Sequence, residues 1–140
     1  MPVAFVERNR NPIRSFPIQP RKSLPPLRIS CDDGILSVRE AIKGDPSLDH
    51  NFCLSRARGT LRDVLWLTGR GGLTLTLATT EPGVQVYDGR DAIRPLRGRY
   101  EGLALEPQFW PDALSHPHFP SILLAPGQAW QQQTRWRFSR

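Results

Sequence analysis

The sequence predicts an all-β fold, an antiparallel β-sandwich or part of one. Three observations carry this. Short apolar runs alternate with period two, so that one side of each run is oily and the other wetter. Turn residues separate those runs at short intervals. Fourteen prolines and eleven glycines in 140 residues favour short elements and many turns over long helices.

The elements follow in chain order. Residues 1–33 read as a basic, proline-rich arm, of a composition that is usually solvated or disordered. Its first 30 residues hold Arg8, Arg10, Arg14, Arg21, Lys22 and Arg28 against the single acid Glu7, so most of the net charge of +6 lies there. The body, a β-sandwich portion, is expected over residues 34–140. "SVREAIKGD" suggests one or two helical turns closed by Gly44 and Pro46. "HNFCLSRA" reads as a strand. "TLRDVLWLTG" reads as a second, with Leu61, Leu65 and Leu67 on one face and Val64 and Trp66 on the other. "GRGG" is then a turn.

"LTLTLATT" is the clearest strand. Leu73, Leu75 and Leu77 form its core face, and Thr74, Thr76 and Ala78 its wetter face. "EPG" interrupts the pattern, and "VQVYDG" resumes it. "GLALE" is another short strand. The tail "AWQQQTRWRFS" sets Trp130, Gln132, Thr134, Trp136 and Phe138 on one face, and Gln131, Gln133, Arg135 and Arg137 on the other. There is no internal repeat and no heptad pattern.

Composition narrows the function classes. No apolar run approaches the roughly 20 residues needed to span a bilayer, so no membrane role is expected. The N-terminus is broken by charge too early for a secretory signal. Two cysteines, Cys31 and Cys53, make no disulfide framework, and free thiols in a cytoplasmic protein are expected. Aromatics are not interleaved with the basic residues of the arm as a stacking platform requires, so no nucleic-acid partner is expected. Phosphate loops, GxSxG elbows and HExxH motifs are absent. His116 and His118 flank Pro117 with no further ligands signalled, so they read as a rigid loop and no metal site is expected.

Three polar residues stand out: Asp49 in "LDHNF", Gln85 in "GVQVY" and Glu106 in "LALEP". Each lies in or beside an apolar strand, where a polar group must be solvated, paired or used. From spacing alone, each reads first as a solvated strand-edge residue, and a shared site is the lesser reading.

The runs "DHNFCL" from Asp49, "LTLATTEPGVQVYDG" from Leu75 to Gly89, and "GLALEPQFWPDALSHPHFPSILLAPGQAW" from Gly102 to Trp130 resemble the C-terminal part of an aldose 1-epimerase, or galactose mutarotase. The closing "TRWRFS" is similar too, and order and approximate spacing agree over residues 45–139. There are departures. Phe109-Trp110 stands where a His-Phe pair is common, Asp88 replaces a more usual threonine, and "GRD" at Gly89–Asp91 replaces a "GNF" type of continuation.

The resemblance implies an antiparallel β-sandwich of the galactose mutarotase type, of which this chain holds a C-terminal portion. It implies interconversion of the α and β anomers of an aldohexose such as galactose or glucose, a step of hexose metabolism. Glu106 would be the general base, and Asp49 and Gln85 would bind sugar hydroxyls. The reaction is acid–base chemistry and calls for no cofactor or metal. The family's acid is a histidine from an upstream segment, with a second histidine and an arginine, and no counterpart is found here. His50 follows Asp49 directly, so in a strand it faces the other way. The chain is therefore expected to be incomplete alone: a truncated product, a fragment of a longer frame, or one half of a split protein whose second chain supplies the rest. The alternative is a non-catalytic carbohydrate-binding or interaction module.

Overall fold

The computed structural model describes residues 6–8, 27–31, 34–37, 48–69, 71–91, 99–100 and 102–140. Among them are nine strands and a single short 3₁₀ turn, Ala113–Ser115. The strands are β1 (Val6–Arg8), β2 (Leu27–Cys31), β3 (Gly34–Ser37), β4 (Asp49–Cys53), β5 (Arg62–Thr68), β6 (Thr74–Thr79), β7 (Gly83–Tyr87), β8 (Ala104–Gln108) and β9 (Thr134–Ser139). They form two antiparallel sheets, of order β1-β4-β7-β8 and β3-β2-β5-β6-β9. Two of the strands, Val6–Arg8 and Leu27–Cys31, fall within the N-terminal stretch. The segment expected to form helical turns lies outside the described residues beyond Ser37.

The sheets face one another across a single core. Leu27, Ile29, Val64, Leu65 and Leu77 come from the five-stranded sheet. Leu48, Phe52, Leu54, Val84 and Val86 come from the other sheet or its margins. Alternation selects these side chains: in β7, Val84 and Val86 point inward and Gln85 outward.

Strict alternation fails at three places. In β5 the pairing with β6 shifts between Asp63 and Leu65, a β-bulge. The extra residue turns Val64 into the core beside Leu65, although parity assigns it to the other face. In β6, Thr76 and Ala78 are buried rather than wet. Thr76 pairs with Trp66 on one side and Arg137 on the other, and Ala78 with Asp63 and Arg135. Small side chains between long neighbours lose their solvent. Strand β8 runs on through Pro107 to Gln108, past the glutamate at which the sequence pattern stops. Pro107 is tolerated because it pairs with Val84 at the edge of the sheet, where a ladder donor is dispensable.

The tail begins its strand only at Thr134. Trp136 and Phe138 pair with Leu77 and Leu75, while Arg135 and Arg137 reach back to Asp63 on the opposite face.

Candidate functional site

The site is built from the register of three adjacent strands. β4 pairs with β7 and β7 with β8, giving three rows across the outer face of the four-stranded sheet: Asp49–Tyr87–Ala104, Asn51–Gln85–Glu106 and Cys53–Gly83–Gln108. The intervening residues, His50, Phe52, Val84, Val86, Leu105 and Pro107, belong to the inner side. Asp49, Gln85 and Glu106 therefore stand together on one face, although 36 residues separate Asp49 from Gln85.

Two of the three touch. Gln85 Nε2 donates to Asp49 Oδ1 at 2.7 Å. This fixes the amide orientation, leaving Gln85 Oε1 and the second Asp49 oxygen as acceptors toward solvent. Glu106 is exposed and lies directly opposite Gln85 across the β7–β8 ladder. Side chains so placed start about 4.5–5.5 Å apart at Cβ. One small polar molecule can thus meet two carboxylates and an amide at once.

The rims are made differently. At one end, the Asp91 backbone N–H donates to the Tyr87 hydroxyl at 2.6 Å. Burial pushes that hydroxyl above its ordinary range, the Asp91 N–H bond works the other way, and the charges of Asp91, Asp88 and Asp49 add to the rise. Asp88 is not a rim residue. Its carboxylate is buried, accepting from the Leu48 and Arg90 backbone N–H groups, and it ties the start of β4 to the end of β7. The unusual "GRD" turn thus holds Tyr87 in place.

At the other end, the loop after β8 folds onto the face. The Trp110 indole donates to the Pro82 carbonyl at 3.0 Å, and its ring lies beside Gly83. Phe119 packs edge-on to Trp110, and the rings of His116 and His118 gather round Phe119. These histidines form the back of a wall rather than the lining of the site. His50 is buried on the core side near Phe52, as its parity requires. Arg58 braces the same end. It forks onto buried Glu81 and lies between the Phe109 and Trp130 rings.

Two residues of the face were not singled out from sequence, Asn51 and Tyr87. Both lie two positions from a residue that was, so strand parity alone would have found them. Asn51 is 1% exposed, its Nδ2 donates to Cys53 Sγ at 3.8 Å, and its Oδ1 has no donor.

Among the described residues, no group of three or more His, Cys, Asp or Glu side chains is placed to hold a metal ion. No helix among them is long and apolar enough to cross a membrane.

The chain is similar to known proteins over most of its described body. The family model of aldose 1-epimerase matches residues 29–137. Galactose mutarotase of Bos taurus is 38% identical over 98 residues, 65% of this chain and 29% of that protein. Galactose mutarotase of Homo sapiens is 37% identical over the same extent. Aldose 1-epimerase of Escherichia coli (strain K12) is 35% identical over 101 residues, 64% of this chain and 29% of that protein. The chain spans about 29% of the length of the curated relatives it matches.

Proposed function

The chain belongs to the aldose 1-epimerase family, and on that premise we propose that its outer face binds an aldohexose, such as galactose or glucose, and supplies the base for interconverting its anomers. The observation that carries this reading is the Gln85–Asp49 hydrogen bond of 2.7 Å directly beside Glu106.

In the proposed step Glu106 takes the proton from the anomeric hydroxyl. The C1–O5 bond breaks as an acid delivers a proton to the ring oxygen, and a free aldehyde is left. Rotation about C1–C2 presents the other face of the carbonyl, and the O5 hydroxyl attacks it. That hydroxyl returns its proton to the acid, and Glu106 returns the first proton to the carbonyl oxygen. Atoms and charge balance, and the catalyst is regenerated. Asp49 and Gln85 hold the sugar by its hydroxyls, because a carboxylate accepts from two and an amide both donates and accepts. The family resemblance implies a histidine acid from an upstream segment, so we take the acid to come from a further segment or a second polypeptide. Cysteine usage supports a cytoplasmic setting.

The test is polarimetry on fresh α-galactose and α-glucose. The wild-type chain, supplied with upstream family sequence that carries the acid, should speed mutarotation beyond buffer. Glu106→Gln should lower that rate by about 10²–10⁴-fold. Saturable sugar-dependent changes in tryptophan emission without turnover would support binding and count against catalysis by this chain. A flat titration together with a buffer-level rate would sink both.

A further inference from the structure

We propose that the outer edge of β9, which pairs with no other strand among the described residues, is a docking site for an extended segment of a partner polypeptide, one in which aliphatic residues alternate with acidic ones, added beside β9 to the five-stranded sheet.

The first argument is a burial gradient. One core-facing row runs Ile29–Leu65–Leu77–Trp136 across four strands. The first three are 0% exposed, and Trp136 is 47% exposed. The next row, Leu27–Leu67–Leu75–Phe138, ends the same way, with Phe138 63% exposed. The apolar layer runs out past the facing sheet, which has one strand fewer among the described residues. Ordinary isolated surface apolar residues need no explanation, but two aromatics continuous with a core do.

The second argument is the backbone. Thr80 N–H donates to the Gln133 carbonyl at 3.1 Å, in register with the pairs Thr79–Thr134 and Ala78–Arg135. Alternation then directs the peptide groups of Arg135 and Arg137 toward β6, and those of Thr134, Trp136 and Phe138 outward. A six-residue strand without proline, whose outer edge pairs with nothing among the described residues, is a template for another strand. The neighbouring edge, on β8, is blunted. Pro107 has no N–H to give, and its carbonyl already accepts from Gln132 Nε2 at 2.9 Å.

Charge selects the occupant. On the outer face, Asp63 serves both Arg135 and Arg137. Two guanidiniums against one carboxylate favour acidic residues on that side of the added strand. Aliphatic residues on its other side would cover Trp136 and Phe138. A second copy pairing β9 to β9 would set arginine against arginine on this face, which like-charge repulsion disfavours.

The test uses the whole 140-residue chain and a capped eight-residue peptide alternating leucine and glutamate. Site-resolved amide exchange at Thr134, Trp136 and Phe138 should slow by about tenfold or more with peptide, and tryptophan emission should shift to the blue. Methylating the peptide's pairing amides should remove the effect. Arg135→Glu with Arg137→Glu should transfer the preference to a leucine–lysine peptide. The proposal is overturned if the leucine–glutamate peptide gives no protection, or if the lysine peptide protects the wild-type chain equally. Protection without peptide that rises with chain concentration, alongside a doubled mass in light scattering, would overturn it in favour of a second copy.

Discussion

Gly89 holds the corner on which the Tyr87 rim depends. Its φ is +70°, and an added Cβ would lie 2.8 Å from the Gly102 carbonyl oxygen. Both the conformation and the space require glycine. Gly89→Ala should therefore cost about 1–3 kcal/mol in urea unfolding and loosen the Asp91–Tyr87 bond. Gly102→Ala, with nothing within 4 Å of its Cβ position, should stay within about 0.5 kcal/mol of wild type. Equal costs at the two positions would refute the steric argument. At this scale the sequence was partly legible. Parity in "GVQVY" correctly turned Gln85 away from Val84 and Val86. Its bond to Asp49 was not legible, because it depends on the pairing of strands 36 residues apart. The same holds for Asp88. Its departure from the family pattern was visible as a letter, but its role in tying β4 to β7 emerges only once Leu48 and Arg90 are placed around it.

Among the elements, β9 is attached to its sheet partly through electrostatics. The hydrogen bond from Arg137 is the main cause holding the Asp63 carboxyl below the ordinary aspartate range, with Arg135 adding to it and burial opposing. A carboxyl whose folded pKa is depressed contributes stability that is fully present above its unfolded value, about 3.9, and is lost as pH falls through the lower folded value. The anchoring of β9 should thus hold at neutral pH and weaken only in that acid range. Protection of the β9 amides, taken as the NMR exchange rate corrected for its intrinsic pH dependence, should fall in step with the protonation of Asp63. Unchanged protection across that titration would remove Asp63 from the account. Asp63→Asn should abolish the pH dependence of the protection. The elements themselves were mostly readable from alternation, as in β7. The reading failed where one extra residue breaks the period, at Val64, and where a strand continues through proline, at Pro107. Neither a bulge nor an edge position leaves a mark on local periodicity.

Among the described residues, the molecule is two unequal sheets sharing one core. Leu77 is fully buried there, in a cluster drawn from both sheets. Leu77→Ala should cost about 2–5 kcal/mol. It should also shift the far-UV circular dichroism and tryptophan emission transitions together, because both sheets depend on the same contacts. Two separated transitions would mean that the sheets unfold independently. The sandwich class was legible because several strands, β7 clearest among them, report their own two faces. The unequal width of the sheets was not, since strand order is a long-range property. One consequence of that asymmetry concerns access. Pro107 and Gln132 stop the four-stranded sheet from growing past β8. Glu106 therefore stays on an outermost strand, open to solvent from the side as well as from above. Anything that lengthens the opposite sheet raises a bank beside this opening without roofing it, so on the proposed function a ligand at Glu106 would enter and leave laterally while the core is being sealed.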